Sequence, residues 1–127
     1  MTATTKDAGL KWVLRMSGVL FLLVYPLCMV WPAGWVWHGG EGSYYLQMLV
    51  GVYAVLGIFL IAAAKNPAEH RSLIWFAVWS SVVHGLIMGT QAISDPNEHG
   101  HLVGDVPAIL IIAVVLGVMA PRKRAAA

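Results

Sequence analysis

The stretch LQMLVGVYAVLGIFLIAAA, residues 46–64, runs for nineteen positions without a charged side chain and stops at Lys65, Asn66 and Pro67. A helix needs about 20 apolar residues to cross roughly 30 Å of hydrocarbon. This stretch therefore reads as a membrane span closed by a polar turn. Working outward, residues 12–30 precede it, and residues 72–93 and about 102–120 follow it, each dominated by apolar side chains. Four spans take about 80 positions, and 59% of 127 residues supplies about 75 before the 13 glycines are added. Only 11% of residues are charged, against about 25% in an ordinary soluble domain. A water-soluble fold of this length could not hide so much apolar surface, which excludes a soluble enzyme. The expected fold is all-α, a single integral membrane four-helix transmembrane bundle over residues 1–127.

The connectors carry the charges, and they decide the orientation. Lys6, Lys11 and Arg15 open the chain, Lys65 and Arg71 lie between spans two and three, and Arg122, Lys123 and Arg124 follow span four. With four spans all eight fall on one side. The positive-inside rule makes that side cytoplasmic and puts both termini there. Glu41, Asp95, Glu98 and Asp105 then gather on the opposite side with His38, His99 and His101. The expected location is a bacterial inner membrane. The first connector, WPAGWVWHGGEGSYY, has three Trp and two Tyr, the composition of a membrane interface. Lys11 and Arg15 before an apolar run also fit a signal peptide, but Trp31 and Ala33 around Pro32 make a poor cleavage site, so the first helix is read as retained. Pro26 within it removes a backbone donor and favours a bend near Tyr25.

A single cysteine, Cys28, excludes an internal disulfide and a thiolate-rich zinc or iron–sulfur site. No Gly-rich nucleotide loop, nucleophile elbow or zinc-protease helix motif occurs. No basic patch with interleaved aromatics points to nucleic acid.

His84 falls near the middle of the third span, with Met88 and Gln91 four and seven residues on, along one helical face. An ionisable group at that depth is costly and faces protein or water. These three residues are the candidate cofactor-binding stripe, His84 as ligand or proton relay. A neutral imidazole bonded to Tyr53, Tyr25 or a serine is the structural alternative. Ala77, Ser81, Gly85 and Gly89 recur every four residues on the same helix and predict a close helix–helix seam. Its partner is the fourth span, through Ala113 and Gly117, or a second subunit.

Glu98, His99, His101 and Asp105, joined by His38 from the first connector, offer imidazole nitrogens and carboxylate oxygens suited to Zn2+ or Cu2+. Cys28, Met29, Met48 and Met88 would add soft donors for Cu+ if they converge. Solvated loop histidines are the alternative. Asp105 followed by Val106 and Pro107 also reads as a helix cap with proline in the first turn. A helix beginning at Val106 would span only about 22 Å at 1.5 Å per residue. Either it starts nearer His101, or the preceding segment dips inward under cover of protein.

The KNPAEHR inner connector and the HGLIMGTQA and HGHLVGDVPA segments, on four short helices, resemble small bacterial inner-membrane proteins of the BphX-like type. That resemblance implies a four-helix membrane fold and transfers no catalytic residue. The leading functional reading is a small non-enzymatic membrane subunit. It packs with itself as a homo-oligomer or with a larger membrane complex, and carries an outward polar cluster for a metal, a cofactor or a partner. The alternatives are proton-coupled transport, with His84 between Asp105 and His70, and a membrane oxidoreductase or haem protein, for which only His84 is deep enough to ligate haem.

Overall fold

The computed structural model describes residues 3–30 and 44–121. Residues 31–43 of the aromatic connector, His38 and Glu41 among them, and the basic triplet Arg122, Lys123 and Arg124 lie outside the described residues. Four α-helices run in order: α1 Ala3–Val30, α2 Tyr44–Ala63, α3 Arg71–Ser94 and α4 Asp105–Met119. A 3-10 helix, Pro96–Leu102, joins α3 to α4. Three stretches are long and apolar enough to cross a membrane: Thr5–Leu27, Arg71–Ser94 and Pro96–Met119. Gln47–Ala63, within α2, is a shorter apolar one.

α1 begins nine residues before position 12, where the apolar run starts, and stays helical through Pro26. Its early turns gain an i,i+4 ion pair, Lys11 Nζ to Asp7 Oδ2 at 3.1 Å. They also turn Leu10 and Leu14 into the core. α4 is the 15-residue helix expected from its proline, and the 3-10 segment before it makes up the missing length. Gly104, not Asp105, holds the N-cap position, so Asp105 opens the first turn instead of capping it.

Neighbouring helices run antiparallel. On α1 and α2 the backbones nearly touch: a Cβ on Gly57 would fall 2.5 Å from the Gly18 carbonyl oxygen, and one on Gly18 would fall 2.6 Å from the Gly57 carbonyl oxygen. On α3 and α4, Val78 lies against Gly117 and Val106 against Gly89. α1 meets α4 where Met119 reaches Gly9, and α2 meets α3 through Tyr53 and His84. The buried cluster draws on all four helices through Leu10, Leu14, Leu60, Ile74, Ala77 and Leu116. It is densest where α1 and α3 begin and α2 and α4 end. Lys6, Lys11, Lys65 and Arg71 belong to that basic end, and Arg71 Nε–H closes it by donating to the Pro121 carbonyl at 2.8 Å.

The outer surface inverts the pattern of a water-soluble bundle. Large apolar side chains stand exposed on every helix, among them Met16 on α1, Phe59 on α2, Trp79 on α3 and Ile111 on α4.

Candidate functional site

The small side chains of α3 decide what sits beside His84. Ala77, Ser81 and Gly85 are buried and Gly89 is half-buried. A Cβ on Gly85 would meet Leu110 at 2.7 Å and Ile109 at 3.1 Å. This face of α3 is covered by α4 of the same chain. Ser81 Oγ is buried there with no hydrogen-bond partner among the described residues, a desolvation cost that tight packing must offset.

With α4 on one side, His84 turns towards α2. Its ring meets Tyr53 edge-on, centroids 5.4 Å apart and planes at 84°. Tyr53 meets Phe21 of α1 in the same way at 5.1 Å and 65°. Three rings from three helices thus form one edge-to-face column, an arrangement the aromatic quadrupole favours. Of the expected neighbours of His84, Met88 is half-buried and Gln91 is exposed. Gln91 contributes its backbone carbonyl, which accepts from the Asp95 N–H at 2.9 Å and ends α3.

At the end of the bundle away from the lysines, the 3-10 helix and α4 make a second polar feature. Three acceptors surround one imidazole. His101 Nδ1 lies 2.8 Å from each carboxylate oxygen of Asp105, and Nε2 lies 2.9 Å from Glu98 Oε2. Satisfying both carboxylates at once takes a proton on each nitrogen. Asp105 Oδ1 also accepts from the Val106 N–H at 3.0 Å, and its charge sits at the N-terminus of α4, where the helix dipole favours an anion. The His101 and Asp105 side chains are only 15% and 16% exposed, against 31% for Glu98. Local chain geometry supplies the spacing. Asp95 accepts from the Asn97 N–H at 2.9 Å and starts the 3-10 turn. Glu98 and His101 then stand three residues apart, and one helical turn later comes Asp105.

The described residues lend the metal expectation no support. Among the described residues no group of three or more His, Cys, Asp or Glu side chains is placed to hold a metal ion. Physically, an imidazole ligates through a free nitrogen lone pair. Here both His101 nitrogens lie against carboxylate oxygens, Nδ1 against Asp105 and Nε2 against Glu98. His99 is exposed, His38 lies outside the described residues, and Met29 and Met48 are exposed rather than convergent. The Cys28 side chain is likewise outside what is described.

Two features were missed in the sequence reading: the Gly18–Gly57 crossing and the pairing of His101 with two acids. The i,i+3 and i,i+4 spacing of Glu98, His101 and Asp105 was the available signal for the second. No curated protein and no solved structure matches the chain. A model described as a family of unknown function, DUF6632, matches residues 5–126 and so takes in nearly all of α1 and every later helix; the chain belongs to that family.

Proposed function

We propose that this protein is a small, non-enzymatic, four-span subunit of a bacterial inner membrane, with both termini on the cytoplasmic side and the Glu98–His101–Asp105 cluster at the periplasmic mouth. The observation that carries the reading is the exposure of large apolar side chains around all four helices. The polarity of the two ends supports it: all the described lysines and arginines lie towards one end, with Asp7, Glu69 and His70, whereas Asp95, Glu98, His99, His101 and Asp105 lie at the other with no Lys or Arg among the described residues. Exposed apolar area of this extent is stable in lipid or against other membrane helices, which fits a homo-oligomer or a place in a larger membrane complex.

Reporter fusions test the topology. Fusions at residue 1 and residue 127 are expected to report cytoplasm, and an insertion after Asn97 to report periplasm. A periplasmic signal from either terminus would overturn the four-span orientation.

The packing of Gly85, the neighbour of His84, against Ile109 and Leu110, about one helical turn beyond Asp105, favours one second reading, proton handling from the mouth to the middle of the bundle. In liposomes carrying the purified protein, His84→Ala is then expected to abolish proton flux. His84→Phe, which keeps a ring against Tyr53, should preserve the fold and still lose the flux. Flux that survives both substitutions would reduce His84 to a packing residue.

A further inference from the structure

Arg15 stands where an arginine needs a counter-ion. Gly18 packs against α2 between Gly57 and Ile61. Arg15, three residues nearer the start of α1, is therefore about level with residues 61 and 62. Lys65 lies roughly one turn, about 5 Å, beyond it towards the basic end. Arg15 is thus the deepest lysine or arginine among the described residues. It is exposed on the outside of the bundle, and among the described residues it has no ion pair. Its guanidinium carbon lies 5.9 Å from the ring centroid of Trp12. The nearest acid along the helix, Asp7, is taken by Lys11.

The surface around Arg15 has the shape of a lipid rather than of an aqueous anion. Trp12, Met16, Val19 and Leu23 follow one another at helical spacing and are exposed by 63%, 60%, 41% and 45%. They form an apolar strip that starts at the guanidinium and runs away from the basic end. A guanidinium binds phosphate through paired N–H donors, and the indole N–H of Trp12 is a donor only.

Resting on the membrane reading above, we infer that the outer face of α1 is a phospholipid site. The phosphodiester of an anionic lipid lies on Arg15 and Trp12, and one acyl chain follows Met16, Val19 and Leu23. The occupant is a lipid because an unpaired cation below the level of the neighbouring lysine, flanked by apolar side chains, finds its complementary charge in a headgroup. The greater depth of Arg15 separates the site from the exposed strip that begins at Lys65 on α2 with Ala62, Ile58 and Val55.

The test uses the full chain in a neutral maltoside detergent, with phosphatidylglycerol, phosphatidylcholine and inorganic phosphate as separate probes. Native mass spectrometry and thermal unfolding are the readouts. Phosphatidylglycerol is expected to stay bound and to raise the unfolding temperature. Phosphatidylcholine should act more weakly and inorganic phosphate not at all. Loss of the charge-assisted bonds in Arg15→Gln should weaken phosphatidylglycerol about tenfold, with Trp12→Leu intermediate. Should Arg15→Gln fail to fold, Arg15→Lys keeps the charge without the planar fork and should still bind less than wild type. Equal lipid retention by wild type and the arginine variants would overturn the site, and so would a response reproduced by inorganic phosphate. A dimer that ignores added lipid and dissociates on Arg15→Gln would assign the arginine to a protein partner instead. Carbonate-resistant membrane association is expected for wild type and variants alike. Its loss from all of them would overturn the membrane reading, whereas its presence without lipid selectivity would overturn only the lipid site.

Discussion

Alanine at Gly57 breaks the α1–α2 contact at the point where the two backbones meet. The new Cβ would stand 2.5 Å from the Gly18 carbonyl oxygen and 3.2 Å from the Leu22 nitrogen. Neither atom can move without its helix. Overpacking a core costs about 1–3 kcal/mol when side chains can shift, and a backbone clash belongs at or above the top of that range. Gly18→Ala should cost as much, since it enters the same contact from the other side, 2.6 Å from the Gly57 carbonyl. Gly85→Ala meets side-chain atoms of Leu110 and Ile109, which can rotate away, so its cost should be smaller. Gly89→Ala finds its nearest neighbour at 3.7 Å. It should be neutral or gain about 0.5–1 kcal/mol from removing a helical glycine. Unfolding by SDS titration in mixed micelles checks the ranking: Gly57 and Gly18 worst, then Gly85, then Gly89. A Gly57→Ala protein that unfolds at the wild-type midpoint would show that α1 and α2 do not cross there.

That ranking also marks what could be read from the residues alone. The helices themselves were legible, because uncharged runs between Lys65, Pro67, Asp95 and Pro121 leave little choice of boundary. The close approach on α3 was legible too, since Ala77, Ser81, Gly85 and Gly89 repeat at a helical interval within one segment. The tighter crossing was not. Gly18 and Gly57 are single glycines on different helices, and nothing local pairs them; only the register of one helix against another does. The pairing inside the polar cluster was not legible for a related reason. Imidazoles and carboxylates in EHGHLVGD suit a metal as well as they suit each other, and the pairing depends on which way the His101 nitrogens point. A 3-10 turn, which local sequence signals weakly, sets that direction. α1 extended beyond expectation because hydropathy marks where a chain can enter lipid, not where its hydrogen bonding stops.

Leucine at His101 should leave two carboxylates facing each other across an apolar side chain. Asp105 would keep its bond from the Val106 N–H and the favourable field of α4, but would lose the donor that its two oxygens share. Leaving a half-buried acceptor unsatisfied costs about 1–3 kcal/mol. The loss should be local as well as global, because His101 ties the 3-10 helix to the first turn of α4 through Glu98 and Asp105. Amide exchange over residues 96–104 is expected to speed up while the α1–α2 contact stays protected. Glu98→Gln alone should cost less than Asp105→Asn, since Glu98 is twice as exposed and water can replace part of what is lost. The three changes are not additive, because the groups share one network. Neutralising both acids relieves the repulsion between carboxylates that the single loss leaves facing each other, so adding Glu98→Gln and Asp105→Asn to His101→Leu should restore part of the stability. A metal site makes the opposite prediction: the triple variant would then be the least stable in the presence of Zn2+ and no better than the single one without it. The cluster as drawn fails if His101→Leu exchanges and unfolds like wild type, or if the triple variant is no more stable than the single substitution.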